Sequence, residues 1–314
     1  MAITSGVSAI VEPLLRSRHD VVGFVESAPH GGGPRGENRR GFRLARAVWR
    51  TIRPPLPSLA EVAAGREIPY FYLTRESERD LVGWLEKLRP SLVVVYLMSR
   101  LLRKSARAVP ELGAINVHPS FLPEYRGPIP WLWTYYNQEA EGGVTVHFID
   151  AGEDTGDIIF QQRFPITPGM PLSEMTRRTG EIGAGLVIRA LDALADGNCP
   201  RVAQPADSPT ERARLLESGE ARRLIDWEEW PIERAWHLLH ATEGRLGLID
   251  PPPGWRRRFS WSIGGLTHEP STAAAGTIGR DRAGFFVAHR QGRIRLSVDY
   301  DWKALIKGLL RGGR

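Results

Sequence analysis

A chain of 314 residues, 42% hydrophobic and 25% charged, has the composition of a folded soluble protein and is long enough for one large domain or two ordinary ones. Its net charge of +6 admits an anionic partner but falls far short of a histone-like excess. The single cysteine, Cys199, excludes an intrachain disulfide framework and a cysteine-built zinc site, and fits a reducing, cytoplasmic location.

The chain opens with a short apolar run, "AITS", then Val7, Ile10, Val11, Leu14 and Leu15 at helical spacing, then a strand in "DVVGFVES" (20–27). Strand–helix–strand is the usual start of a parallel α/β sheet. Its first residues lack the cationic lead of a secretion signal, and the longest apolar run, "LVVVYLM" (92–98), is too short to span a bilayer, so no membrane partner is expected. Residues 28–57 are rich in glycine, proline and arginine, and "FRLARAVWRTI" reads as a basic helix. "IPYFYL" (68–73) is the next strand, "SERDLVGWLEKLRP" a helix closed by Pro90, and "SLVVVYLMS" (91–99) a strand covered on both faces. A short helix and loop in "RKSARAVPELGA" leads to the strand "INVHPS". Then come a helix in "IPWLWTYYNQE", a strand at 142–150, an acidic glycine-containing loop with its own strand, and an amphipathic helix over 173–197 with Ser173 as its cap. The polar, proline-bearing "CPRVAQPADSPTERARLL" reads as a linker. A helix from about Pro231, an irregular stretch with Pro251–Pro253, short strands separated by turns and a basic tail complete a second unit.

The chemistry concentrates in "INVHPSFLPEYRG" (115–127). Asn116 and His118, two apart on a strand, point to one face. They lie at a strand's carboxyl end, where open α/β sheets place ligand crevices. An Asn amide can hold an oxyanion, a His exchanges protons near neutral pH, and the carboxylate of Asp154 can orient that His or take a proton from an attacking amine. No G-x-S-x-G elbow or nearby cysteine accompanies them. This is acyl-transfer equipment without a protein nucleophile, suited to direct attack of an amine on a carbonyl carbon. His147 reads as structural or pocket-lining. His237 and His240 share a helix face without a partner at metal spacing, and no metal is expected.

"NVHPSFLPEYRG-PIP", followed by "GVTVHFIDAGEDTGDII", resembles the formyltransferases that use 10-formyltetrahydrofolate, whose signature is Asn-x-His-x-Ser-Leu-Leu-Pro followed by an acidic glycine-rich loop. Phe121 replaces the usual Leu, and the resemblance covers roughly residues 1–195. It implies an α/β fold: a Rossmann-like, mainly parallel sheet over 1–198, a linker over 199–220, and a smaller C-terminal domain over 221–314 made of a helix and an OB-like, barrel-like β unit. It implies a catalytic trio of Asn116, His118 and Asp154, with 10-formyltetrahydrofolate as co-substrate. Leu97, Met98, Leu102, Asp150 and Gly152 are expected at the folate, and Ser120, Arg126 and Gly127 on the substrate side, Arg126 alternatively as a loop brace.

The acceptor is a primary amine. The residues after the signature look nearer to amino-sugar N-formyltransferases, which favours a nucleotide-linked amino sugar or another small amine. The C-terminal extension is similar to that of methionyl-tRNA formyltransferase and of some amino-sugar formyltransferases; with tRNA as the alternative acceptor, Arg35, Arg39, Arg40 and Arg43 would meet its phosphates. A 10-formyltetrahydrofolate hydrolase, with water as acceptor, is the second alternative. The sequence leaves the oligomeric state open.

Overall fold

The computed structural model describes residues 1–29, 57–242, 246–250 and 259–300. The expected basic helix within 42–52, the arginines at 35, 39, 40 and 43, Pro251–Pro253 and the tail lie outside the described residues. By contact the chain divides into two units: Met1–Gly127 with Gly143–Phe164 and Arg177–Arg212, and Pro128–Gly142 with Pro165–Thr176 and Ala213–Arg314. The expected linker, 199–220, is therefore shared between the two.

The first unit carries a seven-stranded sheet. Its strands are β1 (Ala2–Thr4), β2 (Phe24–Ser27), β3 (Tyr70–Leu73), β4 (Val93–Tyr96), β5 (Ala114–His118), β6 (Glu141–Phe148) and β7 (Ile158–Pro165), in the order β3-β2-β1-β4-β5-β6-β7. β1 to β5 pair in parallel, and β6 runs antiparallel to β5. The apolar runs read in the sequence form the central strands because helices cover both faces; Ile3, Val25 and Val93 are fully buried. Its helices are α1 (Val11–Arg16), α2 (Leu59–Ala64), α3 (Glu78–Leu88), α4 (Lys104–Arg107) and most of the long α6 (Leu172–Ala195), while α5 (Pro130–Tyr136), which precedes β6 in the chain, belongs to the second unit. α1 is shorter than the apolar spacing from Val7 implied, and Ser173 is the second residue of α6 rather than its cap. α6 lies close against β5: a Cβ on Gly183 would stand 2.8 Å from a Val117 methyl, so glycine is what lets the helix approach the strand that bears the site.

The second unit carries α7 (Ile232–Thr242) and a separate antiparallel sheet of β8 (Phe259–Thr267), β9 (Ile278–Asp281), β10 (Gly284–His289) and β11 (Gly292–Tyr300), in the order β8-β11-β10-β9. The arrangement is consistent with the small barrel-like unit expected there. α7 buries Ile232, Ala235, Leu238 and Leu239 and packs against β8 and β11.

Candidate active site

The strand order turns back between β1 and β4, each paired to opposite neighbours, and β5 is the next strand out. His118 ends β5, so Asn116 and His118 reach the carboxyl edge of the sheet beside the turning point, where such sheets bind ligands. The loop after β6 brings Asp154 to the same place. Its carboxylate accepts from the Gly127 N–H (3.0 Å), lies 3.5 Å from His118 Nδ1 and stands 3.5 Å from Asn116 Nδ2. The three residues expected to act together therefore converge within one crevice of the first unit.

A fourth residue completes the group. In the β5–β6 register His147 stands opposite Asn116. Its Nε2 lies 3.2 Å from Asn116 Nδ2 and 3.6 Å from Asp154 Oδ1, and its Nδ1 lies 2.8 Å from the Phe148 carbonyl oxygen. A carbonyl only accepts, so Nδ1 carries the hydrogen and the Nε2 lone pair accepts from the Asn116 amide. Burial holds the His147 pKa down at about 4, helped by the nearby charge of His118 when it is protonated and opposed by Asp154. His147 is thus a neutral, buried acceptor that fixes which way the Asn116 amide faces. The sequence reading took it as structural or pocket-lining; its signal was the strand pairing of "NVH" with "TVHF", which places the two side chains opposite one another.

His118 is 4% exposed. Its Nε2 donates to the Tyr125 carbonyl (3.1 Å) and its Nδ1 faces Asp154, so both ring nitrogens meet oxygen acceptors. The ring donates from both when doubly protonated, and it reaches a ligand by exchanging one of those two partners.

The remaining expected site residues divide. Gly127 is in place, its N–H on the Asp154 carboxylate and its φ of 124° open to glycine. Ser120 and Arg126 are engaged with the protein itself. Ser120 is buried and donates its hydroxyl to the Glu124 carbonyl (2.6 Å). Arg126, also buried, makes four hydrogen bonds to Gln204, Pro205 and Ala206. Both are loop braces here, Arg126 by the second of the two roles expected of it. Asp150 ties its own loop through the Gly152 N–H (3.0 Å) and the Thr155 hydroxyl (2.7 Å). At Gly156, a Cβ would fall 2.0 Å from the Phe148 carbonyl oxygen, so the loop closes on the end of β6 only with glycine there. Met98 and Leu102 line a small apolar cleft with Leu73, Leu81 and Leu101, while Leu97 projects into solvent, 47% exposed. Leu101, absent from the sequence expectation, is 67% exposed at the same cleft.

Of the aromatic run in α5, Trp133 and Tyr136 are engaged within the second unit. Tyr136 stacks edge-on with Trp230 at 5.2 Å, and the Arg234 guanidinium lies 3.8 Å over Trp230. Trp133 donates to the Arg214 carbonyl (2.8 Å). Among the described residues, no helix is long and apolar enough to cross a membrane.

Comparison with known proteins identifies relatives in sequence and in fold. A family model described as formyl transferase matches residues 51–191. A methionyl-tRNA formyltransferase of Syntrophus aciditrophicus (strain SB) is 35% identical over 223 residues, 69% of this chain and 68% of the relative. Two solved structures share the fold across nearly all of both chains. WlaRD, a sugar 3N-formyl transferase crystallised with dTDP and 5-N-formyl-THF, gives a TM-score of 0.60 at 16% identity, covering 96% of this chain and 97% of that one. An N-formyltransferase from Helicobacter canadensis, in complex with folinic acid and dTDP-3-aminofucose, gives 0.59 at 16%, covering 95% and 98%.

Proposed function

Because the chain belongs to the formyl transferase family, we propose that it moves a formyl group from 10-formyltetrahydrofolate to a primary amine, that of a nucleotide-linked amino sugar or another small amine in preference to tRNA. The convergence of Asn116, His118 and Asp154, with neutral His147 behind them, carries the reading. Met98 and Leu102, expected at the folate by the resemblance, line one small cleft together with Leu101. The folate supplies the formyl carbon and departs as a stable amine.

The chain's own residues have distinct tasks. His147 pins one hydrogen of the Asn116 amide; the other faces Asp154 at 3.5 Å, a long contact that a formyl oxygen can take over. Asn116 so turned, with His118, offers N–H groups to the oxygen that gains charge as the amine adds. Asp154 balances the charge of protonated His118 and accepts the amine proton, directly or through one water.

A small acceptor is supported by the second unit's charges. Arg293 and Arg295, two apart on β11, both pair with Asp281 (2.5 and 2.7 Å) and with Glu269, so these two cations already have acidic partners within the unit. The tRNA reading is favoured by the 35% identity to a methionyl-tRNA formyltransferase. The test supplies the protein with 10-formyltetrahydrofolate and, in parallel, charged initiator tRNA and a panel of nucleotide-linked amino sugars. Formylation of a sugar amine with a shallow salt dependence is expected. Efficient, steeply salt-dependent formylation of tRNA alone would reverse the choice of acceptor, and transfer to no amine would refute the reading.

A further inference from the structure

We propose that the segment 201–212 is a strap that sets the position of Asp154, with Gln204 as its positioning residue; the inference rests on Asp154 acting in formyl transfer. Asp154 has a left-handed backbone, φ 56°, a conformation that a non-glycine residue keeps only where its surroundings hold it. What holds it is Gln204. The Gln204 side-chain Nε2 donates to the carbonyls of Asp154 (3.0 Å) and Gly156 (2.7 Å), the two peptides that shape the loop. The Gln204 Oε1 accepts from Arg126 Nε (3.2 Å) and from a terminal guanidinium nitrogen (2.9 Å). The amide has one workable orientation, because the flipped one would set oxygen against two carbonyls and NH2 against a guanidinium.

The strap also holds the opposite wall. Arg126 precedes Gly127, whose N–H makes the shortest bond to the Asp154 carboxylate, 3.0 Å. Thr210 Oγ1 accepts from the Tyr125 N–H (2.6 Å), and the Ser208 hydroxyl donates to the Pro123 carbonyl (2.8 Å). The Tyr125 carbonyl is the acceptor for His118. One segment therefore fixes the backbone under Asp154 and the backbone that receives His118. The outer ion pairs, Arg212 to Glu153 and Arg201 to Asp157, join the same two stretches at the surface, where such pairs contribute little. Asp154 needs this support because its contacts to His118, His147 and Asn116, at 3.5 to 3.6 Å, are too long to hold a carboxylate by themselves. A shift of about 1 Å at such a site costs on the order of 100-fold in rate.

Two substitutions separate the possible roles. Gln204→Leu removes both ends of the amide at similar volume. Gln204→Glu keeps an oxygen for Arg126 and loses the donor to the Asp154 and Gly156 carbonyls. Amide hydrogen exchange in both variants reads the Gly127 N–H directly, with the Ile115 and Val146 amides as controls in the sheet. We expect Gly127 to lose protection by about 10-fold or more in both variants while the controls keep theirs. With the amine that the wild type uses, kcat should fall about 10-fold or more while the affinity for 5-formyltetrahydrofolate stays within about twofold. Native Gly127 protection in either folded variant, or an unchanged kcat, would overturn the proposal. Loss of protection at the sheet controls to the same degree would also overturn it, since it would mark a merely structural role. A wild type that formylates no amine would sink the functional reading, while the exchange arm still decides whether Gln204 holds Asp154.

Discussion

Acidification should destabilise the first unit through His147, by an amount that follows from its burial. The ring is 2% exposed, and its pKa in the folded protein is about 4 against an ordinary 6.5. Well above pH 6.5 it is neutral in both folded and unfolded chains and adds no pH dependence. Below that, the unfolded chain takes up a proton that the folded one refuses until about pH 4. Stability contributed by the neutral ring is thus fully present at neutral pH and is lost as pH falls through this window. With one pKa unit equal to about 1.36 kcal/mol, the loss between about pH 7 and pH 4.5 is on the order of 2 kcal/mol. The perturbation that isolates it is His147→Gln, compared with the wild type by urea unfolding at both pH values. His237 and His289, whose pKa values are also lowered by burial, contribute equally to both proteins and cancel. The wild type should lose on the order of 2 kcal/mol more than the variant on acidification. Equal losses would refute the assignment of His147 as a buried neutral acceptor.

Gly156→Ala would drive a Cβ into the Phe148 carbonyl, 2.0 Å away, and should cost about 1–3 kcal/mol or more with a lower melting temperature and reduced turnover; an unchanged Tm would show that the loop has room. Asn116→Ala should lower kcat about 100-fold or more, as for removal of one oxyanion donor, with little change in folate-analogue affinity. If the KM for folate rose instead and kcat held, Asn116 would be a binding residue.

The parts of the site that the sequence made legible are those encoded by neighbours along the chain. Asn116 and His118 announce themselves by their spacing on one strand, and Asp154 by the acidic loop after the next strand and the resemblance that loop carries. His147 required the register between β5 and β6, a relation across 31 residues that composition does not reveal. The resemblance sets Ser120 and Arg126 on the substrate side, with Arg126 alternatively a loop brace. In the fold both side chains bond to the protein itself, and Arg126 finds its partners 78 to 80 residues away. For the same reason the polar, proline-bearing segment after α6 read as a linker. Gln204, Ser208 and Thr210 bond to loops distant in sequence, and Val202 adds a short bridge to Ile158 that no alternation announces.

Asn116, His118 and Asp154 are proposed to act together on a folate-borne formyl group. Single-turnover transfer from 10-formyltetrahydrofolate, comparing wild type with His118→Ala and Asp154→Asn, tests it most directly when 5-formyltetrahydrofolate binding is measured on the same preparations. Each variant should bind the analogue normally and lose transfer by about 100-fold or more, the scale of general acid–base or oxyanion assistance. Near-normal transfer by either folded variant would contradict the account.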